Sequence, residues 1–421
     1  MKKILFFAAT ALLFAACSNE EGNAPEVAQT PQAIAFDTYV PNATRAGAAG
    51  VMTTTTLQGT GFGVFAQQGA TYTATTGANF MYNQQVTIEN SAWTYTPLKY
   101  WPNETNVTTA ANGIDNNGAE ATDLEGLSFF AYAPYVADVT VGTTGITGMS
   151  TNTATTDPTI TYTVATKPSQ CVDLLWGVAP SAGLSYTNVA NTTTTVAAGE
   201  PLIDLLKPAK EQKIKFLFKH ALARLGMTVV AAVDQIPAGG TLSNTTKIVV
   251  NSVEVKDVTA TKVLGTVGTL NLNNSGNPGV ANWTITTKDF DVTINSSNEL
   301  NSDIAWATSD ASSYTNVAGV TTSEKNVING TDNYLMVIPG NADTDLEVTI
   351  DYKVITADAK VSGGYVTTQN VIKKTVTIPA LTNNKAYNLK LILGLTSVKL
   401  DAEVAEWEVA GSTEVDLPKN K

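Results

Sequence analysis

Histidine, cysteine and arginine are scarce in this chain. Its 421 residues include one histidine, two cysteines and two arginines. A lone His220 excludes most zinc sites and any triad needing a choice of bases. Cys17 and Cys171 are too few for a disulfide framework. Charge is thin as well: Asp, Glu, Lys and Arg make up 15% of the residues, where soluble proteins usually carry about a quarter. The balance is acidic, 25 basic against 37 acidic residues and a net charge of −12. No basic stripe is present, so no nucleic-acid partner is expected. No long helical stripe occurs, and the nearest candidate is a single turn near Ser169 to Trp176. No catalytic motif is visible, and an enzyme built from this chain would depend on carboxylates and hydroxyls alone. The expectation is no enzyme, no cofactor and no metal.

What is present favours strands. Hydrophobic residues reach 43% and the mean hydropathy is +0.01, enough to bury a sizeable core. Thr, Asn, Val, Ala and Gly fill the places that charge leaves, and β-branched Thr and Val suit pleated surfaces. Short apolar alternations recur between Gly, Asn, Asp and Pro turns, for example over residues 127–133, 214–218, 225–232, 346–355 and 387–400. This pattern indicates an all-β chain of sandwiches. Leu389, Leu391, Leu393 and Leu395 alternate strictly and predict a strand packed hard on a core. The length predicts two domains, and the charged, Pro-containing stretch over 205–213 offers a boundary.

The first residues read as an address. Met1-Lys2-Lys3 is basic, and Ile4 to Ala16 is apolar or small, too short to cross a bilayer as a helix. Leu13-Phe14-Ala15-Ala16-Cys17 resembles the lipobox of bacterial lipoproteins, with Phe14 where Leu is usual. That resemblance implies cleavage before Cys17 and its lipidation. Glu20-Glu21 just after it resembles the surface-export signal of Bacteroidetes lipoproteins. Residues 18–32 form a polar tether. Ala33 to Val40 then alternates, with Ile34, Phe36, Thr38 and Val40 on one face, as a half-buried strand requires. A small-residue loop follows, and Arg45 sits within it. Arg224, the other arginine, lies in an apolar stretch and should be folded away. Near the other end of the sequence, Val409, Thr413, Val415 and Leu417 share a face in a similar alternation.

Several motifs occur in an order that resembles the fimbrillins of the Bacteroidetes, the subunits of protease-activated type V pili. They are Lys99-Tyr100-Trp101-Pro102 after Trp93; Leu127-Ser128-Phe129-Phe130-Ala131-Tyr132-Ala133-Pro134-Tyr135; Gln170 with Asp173-Leu174-Leu175-Trp176; Phe216 to Leu225; Tyr334 to Pro339; and Trp407. The resemblance implies two tandem transthyretin-like β-sandwich domains after a cleaved lipoprotein signal peptide. Its divisions here are signal peptide and lipobox 1–17, tether and removable first strand 18–45, N-terminal sandwich 46–210, and C-terminal sandwich with donor strand 211–421.

The resemblance also implies a life history. The precursor crosses the periplasm and is held at the outer membrane by its lipid on Cys17. A protease cuts between Arg45 and Ala46. The strand bearing Ile34, Phe36, Thr38 and Val40 leaves. The strand bearing Val409, Thr413, Val415 and Leu417 from another subunit refills the groove, giving a head-to-tail fimbria at the cell surface that supports adhesion and biofilm. The partners implied are other fimbrial subunits, the processing protease and the outer membrane. The competing readings are a tip or accessory fimbrial adhesin and a surface glycan-binding lipoprotein. The remaining conspicuous residues have plainer expectations: a packed or capping His220, a buried Cys171, Trp93, Trp101 and Trp176 as core anchors, and Asn341 to Asp345 as a turn.

Overall fold

The computed structural model describes residues 32–40, 52–69, 71–102, 126–137, 139, 142–180, 183–187, 193–208, 212–232, 246–306, 319–330, 334–395 and 398–406. The all-β expectation holds: these residues form strand after strand, with one α-helix, Thr54–Thr60, and short 3-10 turns. The turn expected near Ser169 is the 3-10 turn Pro168–Gln170. The helix was not expected, because Thr-rich sequence is a poor helix former. Local capping offsets this. Thr53 accepts a hydrogen bond from the Thr56 amide, and the Thr56 hydroxyl accepts one from the Thr53 amide. Leu57 fastens the helix to the core.

The first sheet has eight strands. Seven run in the order Phe36–Tyr39, Ile214–His220, Leu175–Val178, Gly126–Ala133, Phe62–Gly69, Met81–Glu89 and Ala92–Thr94, and Leu202–Leu205 pairs with Gly126–Ala133 beside them. Its central strands Leu175–Val178 and Gly126–Ala133 are buried along their whole length, Ser128 included, because both of their faces are covered. In Gly126–Ala133, Leu127, Phe129, Ala131 and Ala133 enter one core while Phe130 and Tyr132 enter another. Ile214–His220 divides the same way: Ile214, Phe216 and Phe218 on one side, Leu217 on the other.

The later part of the chain builds a two-sheet sandwich. Ala223–Ala231, Lys385–Leu393, Val398–Glu406, Lys325–Asn326 and Leu335–Val337 form one sheet. Asp291–Asn295, Thr246–Asp257, Thr344–Ala357 and Tyr365–Ile378 form the other. Their inner faces share one core. Thr344–Ala357 alternates buried and half-buried along most of its length, as one-sided burial demands. Leu389, Leu391 and Leu393 pack inward as expected, but Leu395 lies beyond the strand end and is exposed.

The chain passes from the first sheet to the sandwich around Ala221-Leu222, since Ile214–His220 still bonds within the first sheet and Ala223–Ala231 already belongs to the second. A further sheet joins the two parts. In it Gly145–Met149 and Thr159–Thr163 pair onward with Val267–Asn271 and Asn282–Thr287. Tyr162, Leu270, Met336 and Trp176 meet in the core beneath it.

Candidate functional site: the groove of the first strand

Phe36–Tyr39 lies at the edge of the eight-stranded sheet, parallel to Ile214–His220, with Phe36 opposite Ile214 and Tyr39 opposite Leu217. The residues before it are gripped from the other side. Ile34 N donates to Lys99 O at 2.9 Å, Trp101 N donates to Gln32 O at 3.1 Å, and Ala33 bridges Tyr100 antiparallel. Tyr95 closes this side, its hydroxyl donating to Ile34 O at 2.9 Å. Burial pushes the Tyr95 phenol up to about 12, which keeps it a donor at any physiological pH. At the far end the Thr54 hydroxyl donates to Val40 O at 3.2 Å.

The side chains fill sockets. Ile34, Phe36 and Val40 are 1%, 1% and 0% exposed, and Thr38 is half-buried. The Phe36 ring stacks on Phe216 at 6.1 Å and meets Phe62, Tyr95 and Phe129 at 6.2, 5.5 and 6.0 Å. A segment with only four residues in regular strand thus places three side chains wholly inside the core.

The next described residue after Val40 is Met52. Met52 is buried, and its amide donates to Asp173 Oδ2 at 2.9 Å. The same carboxylate oxygen accepts from His220 Nδ1 at 2.7 Å, and both side chains are fully buried. His220 is therefore a packed residue, as expected, hydrogen-bonded to Asp173. Cys171 is a buried thiol that burial pushes up to about 11, so it stays protonated. Arg224 lies inside Ala223–Ala231 with its guanidinium 4.4 Å from the Tyr334 ring centre, and both edges of its strand are paired.

The structure thus brings together Ile34, Phe36, Thr38 and Val40. Cys17, Arg45 and Ala46, and Val409, Thr413, Val415 and Leu417, lie outside the described residues, as does Trp407. Nothing in the sequence assigns Tyr95, Lys99, Trp101 or Thr54 to the groove. Lys99-Tyr100-Trp101-Pro102 was conspicuous, but nothing local indicates that it lies against Ile34. Asp173 was equally visible and equally unassigned, because its partners Met52 and His220 are remote in sequence.

No family model matches the chain. In sequence it is similar to the fimbrium subunit Fim1C of Phocaeicola vulgatus, at 34% identity over 173 residues. The match covers 39% of this chain and 39% of that relative's own length. In structure it is similar to a fimbrial protein of Bacteroides vulgatus, with a TM-score of 0.58 and 22% identity, over 89% of this chain and 99% of the other. The chain therefore has the fold of a Bacteroides fimbrial protein, and part of it is related in sequence to a fimbrium subunit. Both findings agree with the fimbrillin resemblance drawn from the motifs.

Proposed function

We propose that this protein is a structural subunit of a type V fimbria, exported as a lipoprotein on Cys17 and activated by proteolysis between Arg45 and Ala46. Residues 18–45 are its propeptide, and its body is the two sandwiches expected at 46–210 and 211–421, with Ile214–His220 bonded into the first and the change of sheet at Ala221-Leu222. The observation that carries this reading is the seating of Ile34, Phe36 and Val40. Each buries its side chain fully, worth roughly 1.5–3 kcal/mol apiece, yet the strand itself is short and lies at an edge.

Such a strand is held firmly while it is covalently joined to the body, because closing a short loop costs little. A cut after Arg45 makes it a separate peptide, and its departure then gains translational freedom. The Asp173–Met52 contact retains the new chain start at the body while residues before the cut leave. What remains is an apolar slot with unpaired edge amides, which a strand from another subunit satisfies by β-augmentation. The tail bearing Val409, Thr413, Val415 and Leu417 is the donor. Because donor and slot are different surfaces, the contact is heterologous and propagates as a filament.

Digestion of the precursor with an Arg-specific protease tests this. The expected products are an N-terminal Ala46 and a ladder of polymers on a gel run without boiling. Arg45→Ala should remain monomeric under the same treatment. Polymers formed by that variant would remove proteolysis as the switch.

A further inference from the structure

The sockets of the first strand are not equivalent, and their order constrains what replaces it. We propose that the incoming strand, residues 411–417 of a second copy, lies antiparallel to Ile214–His220, the reverse of the strand it displaces. The inference rests on the strand-exchange reading above and adds the direction and register.

Four core-facing positions must be refilled: a buried aliphatic site at Ile34, an aromatic-walled site at Phe36, a half-buried site at Thr38 and a buried site at Val40. The tail presents Val409, Gly411, Thr413, Val415, Leu417 and Lys419 at alternate positions. Run parallel with Thr413 on the Thr38 site, it puts Gly411 in the aromatic socket. Shifted two residues, still parallel, it puts Thr413 there and Gly411 in the Ile34 site. Both leave the largest socket empty or polar, and cavities and unpaired hydroxyls in a core are costly. Run antiparallel, it sets Leu417 in the Ile34 site, Val415 in the Phe36 site and Thr413 on the Thr38 site, with Gly411 at Val40. A further antiparallel shift buries Lys419 in the Ile34 site, which the charge forbids.

Charge supports the same placement. The opposite face of the tail carries Ser412, Glu414 and Asp416. On the groove, Asp37 stands opposite Lys215, and Lys213 precedes Ile214 at the same edge. The antiparallel register lays Glu414 beside Lys215, in the place of Asp37, and Asp416 beside Lys213. An acidic chain thus meets a basic edge at the site where its own copy docks. One socket is left underfilled, because Val415 is much smaller than the phenylalanine it replaces.

Cysteine pairs read the direction. The precursor carrying Lys213→Cys and Asp416→Cys, cut with an Arg-specific protease and oxidised, should give disulfide-linked ladders that collapse on reduction. Lys213→Cys with Ser412→Cys, or with Ala410→Cys, supplies the pairs that the two parallel registers require. In the antiparallel register these lie four or more residues out of step, about 13 Å or more, beyond disulfide reach. They should give none. Ladders from either of those pairs and not from the first would overturn the direction and leave strand exchange standing. Polymers without a disulfide from any pair would overturn the proposed register and direction. Failure of every variant and of the unmodified chain to polymerise would overturn the exchange reading itself. As a measurement independent of cysteines, Val415→Phe should slow polymer dissociation roughly tenfold by filling the aromatic socket. An unchanged or faster rate would overturn the register.

Discussion

Two edge strands of this molecule are held in opposite ways. Tyr365–Ile378 runs antiparallel to Thr344–Ala357 along its whole length, from Tyr365 opposite Ala357 to Ile378 opposite Thr344. Most of its side chains are exposed, Val371 at 64%. Its hold comes from a long ladder of backbone hydrogen bonds, with aids such as Lys373 Nζ to Glu347 at 2.8 Å. Lys373 and Lys374 also discourage pairing by foreign strands. Phe36–Tyr39 is the reverse: a short ladder, with its purchase in three buried side chains. A ladder reads no sequence, whereas sockets do. Phe36–Tyr39 is therefore held by the identity of the side chains around it, and Tyr365–Ile378 by the length of its ladder.

This contrast can be broken by substitutions on either side. The largest effect is expected from Phe36→Ala, which should cost the uncut precursor about 3–5 kcal/mol in denaturant unfolding. A loss under about 1 kcal/mol, the range of a mild substitution, would mean that the socket is not what holds the strand. Next comes the polar closure of the second sandwich. Asp257 is buried at the end of Thr246–Asp257 and accepts from the Val263 and Leu264 amides and from the Thr259 amide and hydroxyl. Burial alone raises its carboxyl, but these four donors hold it below the usual range. A depressed carboxylate stabilises the fold above its unfolded pKa, and that contribution fades as pH falls through the folded value. Asp257→Asn should therefore lose about 1.5–3 kcal/mol at neutral pH. The gap to the unmodified protein should narrow in acid, and a constant gap across pH would show that the charge is immaterial.

Removing the helix cap beside the groove, Thr53→Ala, should cost about 1 kcal/mol and leave the second sandwich's hydrogen exchange unchanged. The smallest change is expected at the long edge: Val371→Thr should stay within about 0.5 kcal/mol by thermal unfolding. A loss as large as that of Phe36→Ala would erase the distinction between the edges.

Much of the groove was legible because its signal is local. Ile34, Phe36 and Val40 alternate in a run short enough to be nothing but a strand, and the structure buries all three. The apolar run at 127–133 read as a strand, and the structure buries both of its faces. The helix at Thr54–Thr60 escaped because its signal is a reciprocal pair of threonines acting against poor propensity. Leu395 misled because strict alternation continues past the point where the strand ends. The joining sheet was invisible for a different reason. Thr159–Thr163 and Val267–Asn271 are ordinary alternating strands, and no local feature of either indicates the other as partner.

From its sequence alone this chain determined its strand-forming character, the faces of those strands, and the poverty of catalytic groups, because these depend on composition and on a two-residue period. Tertiary structure decided which remote segments meet: Tyr95 and Lys99 against Ile34, Asp173 against Met52 and His220, and the first strand against Ile214–His220. The physical reason is that backbone pairing is chemically the same for every strand. Only the packing of whole faces against one another selects one partner from many.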